Sequence, residues 1–195
     1  MCGRWIMKNK LAIFDLDGTL FDTTEVNYRA YDRALHEYGY NLGLDYRYYC
    51  DFCHGNSYKT FLPQLIPGIT LKEREAIHEY KQIIYPEFLC FASKNQQLFS
   101  LIECIRTAYV IAIATTASRK NAHEILQTYQ VTDLFDIIVA QEDVEKYKPD
   151  PECFLLVMKM AQLRPEQALI FEDSDQGIAA AKASGAACVR VFNNF

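Results

Sequence analysis

The sequence predicts an α/β protein: a Rossmann-like doubly wound parallel sheet of five core strands, carrying an inserted α-helical domain. Two observations predict it. The run KLAIFDLD at residues 10–17 is short and apolar on both faces, as a strand covered on both sides would be. From about residue 96, apolar β-type runs alternate with amphipathic helical stretches, the pattern of βαβ units with right-handed crossovers.

In order along the chain, the first strand is followed by about 75 residues of different character. TEVNYRAYDRALHEYGY places apolar or aromatic residues at Val26, Ala30, Tyr31, Ala34, Leu35 and Tyr38, a helical spacing that stops at Gly39. SYKTFLPQLI and LKEREAIHEYKQIIYPEFLCF continue as helices broken at Pro63, Pro67, Gly68 and Pro86. Residues 23–92 are therefore expected to form a helical domain inserted into a core built from 1–22 and 93–195. The core then reads helix QQLFSLIECIRT, strand YVIAIAT, helix SRKNAHEILQTYQ, strand FDIIVAQ, helix PECFLLVMKMAQL, strand QALIFED, helix SDQGIAAAKASG and strand AACVRVF.

Composition narrows the function classes. Half of the 195 residues are hydrophobic and 23% are charged, as in an ordinary globular protein. No apolar run approaches the roughly 18 to 20 residues that span a bilayer. The opening MCGRWIMKNK lacks the apolar core of a secretory signal, so a cytoplasmic location is expected and no membrane partner. A net charge of −5 without a basic cluster argues against a nucleic-acid partner. The seven cysteines are scattered and read as reduced thiols. CDFCH, residues 50–54, has haem-attachment spacing, but without export that chemistry has no setting, and a zinc site lacks two further ligands; it reads as a partly buried turn.

In open parallel sheets the ligand crevice lies at the carboxyl ends of the strands. Asp15 and Asp17 follow the first strand, Thr115 and Thr116 the second, and Glu172 and Asp173 the fourth, while Lys148 precedes the helix announced by Pro149 and Pro151. So many carboxylates in one crevice repel one another unless a cation intervenes, and a hard divalent ion with oxygen ligands, Mg²⁺ above all, resolves the conflict. The set reads as a site for metal plus phosphate.

DLDGT, ATTAS, KYKPDPE and FEDSDQG, in this order and each at a strand end or loop, resemble the four motifs of the haloacid dehalogenase superfamily, in particular its β-phosphoglucomutase-like and phosphoglycolate-phosphatase-like members with a helical first-type cap. The resemblance implies that Asp15 is the nucleophile, forming an aspartyl-phosphate, and Asp17 the general acid and base. Thr115 and Lys148 would hold the phosphoryl oxygens, with backbone donors at Gly18 and Thr116. Asp15, Asp17 through its carbonyl, Asp173 and Glu172 would hold Mg²⁺. The acid at Asp17, absent from dehalogenases and phosphonate-cleaving relatives, favours phosphate esters. His54, Gly55, Asn56 and Lys59 are the expected substrate contacts from the cap. The implied activity is Mg²⁺-dependent hydrolysis of a small phosphorylated metabolite, a sugar phosphate or a phosphoglycolate-like compound, by a monomer or homodimer. The alternative is a phosphosugar mutase. Asn27, where the mutases commonly carry a histidine, and the missing cap arginine favour the phosphatase.

Overall fold

The computed structural model describes residues 8–53 and 56–192. In chain order the strands are β1 (Lys10–Phe14), β2 (Phe21–Asp22), β3 (Ser93–Lys94), β4 (Tyr109–Ala114), β5 (Ile137–Val139), β6 (Ala168–Glu172) and β7 (Ala187–Arg190). The α-helices are α1 (Thr24–Glu37), α2 (Tyr46–Tyr48), α3 (Tyr58–Leu65), α4 (Leu71–Ile84), α5 (Gln96–Ile105), α6 (Arg119–Thr128), α7 (Glu152–Ala161) and α8 (Asp175–Ala183). The chain divides into two compact units, one of residues 1–22 with 93–195 and one of residues 23–92.

The first unit is a parallel α/β sheet of five strands in the order β5-β4-β1-β6-β7. Its centre is β1, where Leu11 to Phe14 are fully buried, which is why that run is apolar on both faces. α7 and α8 cover one face, packing Phe154, Val157, Met158, Ala180 and Ala181 onto Leu11, Ile13, Val110, Ala112 and Ile170. Each of the larger side chains contributes roughly 1.5 to 3 kcal/mol by leaving water. The register decides the site: Phe14 pairs with Ile113 on one side and Phe171 on the other, so the residues that follow emerge side by side at the carboxyl edge.

Two strands are shorter than their apolar runs. β1 ends at Phe14 because the chain turns back, Leu16 carbonyl accepting from the amides of Leu20 and Phe21. β5 begins at Ile137; just before it the Asp136 amide still donates to the Ile111 carbonyl (2.7 Å), but the Ile111 amide is taken by the Asp136 carboxylate (3.1 Å), which also accepts from Lys8 Nζ (3.0 Å). The antiparallel pair β2–β3 is two residues long on each side, too short to leave a periodic signal.

The second unit is helical. Tyr31, Ala34 and Leu35 of α1 pack with Phe61 and Leu62 of α3 and Ile77 of α4. Thr70 and Glu73 form a reciprocal capping box at the start of α4. Pro63 does not break its helix as expected but lies inside α3. The Lys59 carbonyl, which a residue with an N–H at 63 would have bonded, instead accepts from the Arg74 guanidinium at 3.0 Å, so the proline leaves no orphan. Cys50 and Cys53 lie in a wide π-type turn, Tyr49–Cys53, as free thiols. Among the described residues no helix is long and apolar enough to cross a membrane.

Candidate active site

The sheet register brings Asp15 beside the end of β6, where its amide donates to the Phe171 carbonyl at 3.0 Å. Its side chain is buried, as are those of Thr115, Lys148 and Glu172. Lys148 Nζ donates to Asp15 Oδ1 and to Glu172 Oε2, both at 2.6 Å, and to the Ala114 carbonyl at 3.2 Å. The ammonium thus has all three of its hydrogens directed to oxygen. Burial alone would lower its pKa, but the charges of Asp15 and Glu172 outweigh burial and raise it, so Lys148 stays charged.

The carboxylates are less well served. Burial first, and then the charge of Glu172, hold Asp15 well above the ordinary carboxylate range in spite of Lys148. Burial also raises Asp173, against the hydrogen bond that its Oδ1 accepts from Thr19 Oγ1 at 2.9 Å. Of these three carboxylates the ammonium pairs with two, Asp15 and Glu172. Oxygens of Asp15, Glu172 and Asp173 lie within 4.8 Å of one another, an all-oxygen donor set that suits a hard divalent cation. The crowding of like charge in a buried place makes this a group that could hold such a cation.

Gly18 shapes this set. It has φ of +90°, and its amide donates to the Phe21 carbonyl at 2.7 Å, closing the turn after Asp17. A β-carbon at Gly18 would come within 2.8 Å of the Asp173 carboxyl carbon, so glycine serves both the turn and the room that Asp173 occupies. Asp17, half-buried, makes a backbone bridge with Phe21, and its carboxylate is not one of the three.

Thr115 sits just past β4, its amide donating to the Val139 carbonyl (3.0 Å) and its Oγ1 accepting from the Ala117 amide (3.0 Å). The hydroxyl hydrogen is thereby directed away from Ala117. Thr116 is exposed. Of the expected residues in the helical unit, Asn56 is exposed and donates to the Phe52 carbonyl at 3.1 Å, and Lys59 is exposed with its ammonium over the Tyr58 ring. His54 and Gly55 lie outside the described residues.

Asn27 is held within the same unit: its amide donates to the Thr23 carbonyl (3.0 Å) and Oγ1 (3.2 Å), and its Oδ1 accepts from buried Lys81 at 2.6 Å. Sequence reasoning missed Thr19, although the hydroxyl residue after DLDG was a visible signal. It also missed Ser174, whose amide (3.0 Å) and hydroxyl (2.8 Å) both donate to Glu172 Oε1.

The description of the haloacid dehalogenase-like hydrolases matches residues 12–191. A phosphorylated carbohydrates phosphatase of Thermotoga maritima is 32% identical over 181 residues, covering 89% of this chain and 80% of that protein. Pyrophosphatase PpaX of Bacillus thuringiensis is 26% identical over 190 residues, 92% of this chain and 81% of that protein. Among solved structures, CbbY from Rhodobacter sphaeroides in complex with phosphate superposes with a TM-score of 0.79 at 25% identity, covering 94% of this chain and 87% of that one.

Proposed function

The chain belongs to the haloacid dehalogenase-like hydrolases, and from that premise we propose that it is a Mg²⁺-dependent phosphatase of small phosphorylated carbohydrates, working through an aspartyl-phosphate on Asp15. The observation that carries the reading is the ammonium of Lys148 shared at 2.6 Å by Asp15 and Glu172, with Asp173 completing the group of carboxylates. An anionic nucleophile beside a buried cation and a hard-ligand set suits a phosphoryl group. The substrate class is supported by the 32% identity to a phosphatase of phosphorylated carbohydrates.

In this reading an Asp15 oxygen attacks phosphorus as the bond to the ester oxygen breaks, and Asp17 gives its proton to the departing alkoxide. Asp17, now anionic, takes a proton from water as that water attacks the aspartyl-phosphate. The phosphorus–oxygen bond to Asp15 breaks, inorganic phosphate leaves, and both aspartates return to their starting forms. Lys148 and the Thr115 hydroxyl bind the equatorial oxygens, joined by the Thr116 amide, whereas the Gly18 amide expected as a further donor is already engaged by the Phe21 carbonyl at 2.7 Å. Asp15, Asp173, Glu172 and the Asp17 carbonyl would hold Mg²⁺, which when bound offsets the repulsion between phosphate and carboxylate. The 23–92 unit acts as a cap, with His54, Gly55, Asn56 and Lys59 meeting the rest of the substrate.

A mutase is the weaker alternative, because Asn27 has no titratable proton to exchange and both ends of its amide are engaged. The test is a phosphate-release screen over hexose and pentose phosphates, phosphoglycolate and pyrophosphate, with Mg²⁺ and with chelator. Release from a sugar phosphate only with Mg²⁺ is expected. A folded, Mg²⁺-supplied protein that releases no phosphate, or that needs a bisphosphate activator and yields an isomer, sinks the reading.

A further inference from the structure

Gly177 stands in the first turn of α8, where alanine would serve the helix better, and nothing in the local backbone calls for glycine. The reason lies across the turn. A β-carbon at Gly177 would overlap the carboxyl carbon and both carboxylate oxygens of Glu172. Glu172 is therefore seated against the bare backbone of α8. Its Oε1 accepts from the amide and hydroxyl of Ser174, the residue whose Oγ caps the helix by accepting from the Gly177 amide at 3.0 Å. Its Oε2 accepts from Lys148, whose ammonium also holds Asp15. With the Glu172 side chain only 1% exposed, it has no solvent to retreat into.

We propose that Gly177 is a positioning residue: by having no side chain it lets Glu172 rest on the start of α8 and hold Lys148 at the attacking carboxylate. A methyl group there pushes Glu172 towards Lys148, which at 2.6 Å has no slack, and so displaces the ammonium from Asp15. The role concerns the same site as the proposed phosphatase and uses that reading for its kinetic readout, but the steric coupling stands apart from it.

The experiment is a double-mutant cycle of Gly177→Ala and Glu172→Asp, with Gln176→Ala as an exposed control in the same turn, read by metal-free thermal melting and by steady-state kinetics. Gly177→Ala should lower kcat by at least about tenfold with KM within about twofold of wild type, the pattern of a misplaced catalytic group rather than of lost binding. It should also lower Tm, although alanine improves the helix, whereas Gln176→Ala should lower neither. The shorter aspartate makes room for the methyl, so the double variant should recover kcat at least about threefold over Gly177→Ala and regain Tm, a coupling between the two positions. Wild-type kcat and Tm in Gly177→Ala, or a double variant no better than Gly177→Ala, overturns the proposal. If the wild type releases no phosphate, the phosphatase reading fails alone; the melting cycle then decides the proposal, which additivity overturns.

Discussion

One buried ammonium serves two carboxylates: Lys148 Nζ lies 2.6 Å from Asp15 Oδ1 and 2.6 Å from Glu172 Oε2. Replacing Lys148 by methionine keeps the length of the side chain but leaves two buried carboxylates facing each other. Breaking such a cluster from one side costs about 3 to 5 kcal/mol. Urea unfolding of metal-free Lys148→Met should show a loss of that order, and phosphate release should vanish. Lys148→Arg should not restore activity, since a planar guanidinium cannot occupy the place of a compact ammonium. Unchanged stability in the methionine variant would contradict the paired geometry.

Asp15→Asn separates chemistry from folding. The amide keeps the shape and can still meet Lys148 through its oxygen, and it removes one of three crowded carboxylates. Phosphate release should fall by at least about 10³-fold, as for loss of a nucleophile. The melting temperature of the metal-free protein should hold or rise, because burial already disfavours the charged form of Asp15. Retained phosphate release would remove Asp15 from its assigned role.

Gly18→Ala asks two things of the turn at once. At a φ of +90° an L-residue is strained by roughly 1 to 2 kcal/mol, and the new methyl meets the Asp173 carboxylate. The Mg²⁺ concentration for half-maximal activity should rise by about tenfold, in keeping with a ligand displaced from its supporting contacts. A metal titration of activity checks this; an unchanged half-saturation would show that Asp173 does not depend on the room Gly18 leaves.

His78 gives the helical unit a pH dependence. Its ring stacks on Tyr58 at 3.8 Å between centroids, its Nδ1 is 2.8 Å from the Tyr31 hydroxyl, and its Nε2 faces the Gln82 amide at 3.2 Å. Burial first, and then the charges of Lys81 and Lys59, depress its pKa from 6.5 to about 4. The folded chain thus keeps the ring neutral where the unfolded chain protonates it, so this contribution is complete above pH 6.5 and is lost as pH falls towards 4. With the ring partly exposed, the loss between those limits should be about 1 to 2 kcal/mol. Melting of wild type and His78→Gln over that range should show a steeper decline in the wild type; parallel curves would refute it.

The order of the fold was legible because parallel strands buried on both faces leave unbroken apolar runs, and their crossover helices leave helical ones. The same logic made Asp15, Thr115, Glu172 and Asp173 readable as strand-end residues before any geometry was known. Pro63 was misleading because its effect depends on what the Lys59 carbonyl finds instead, and Arg74, 15 positions beyond Lys59, supplies it. Thr19 and Ser174 were harder to see because orienting a carboxylate needs only a hydroxyl at the right place, and hydroxyl residues are common in turns.

By itself the sequence determined which chemical groups this protein possesses and that they cluster at one edge of a parallel sheet, since strand periodicity and motif order are local properties of the chain. Only the tertiary structure decided how those groups divide their partners. That Lys148 belongs to Asp15 and Glu172 together, that Thr19 steadies Asp173, and that Gly177 is empty for the sake of Glu172 are relations between side chains on separate elements. They arise from the register of β1 against β6 and the seating of α8, which set distances to tenths of an ångström that no spacing along the chain encodes.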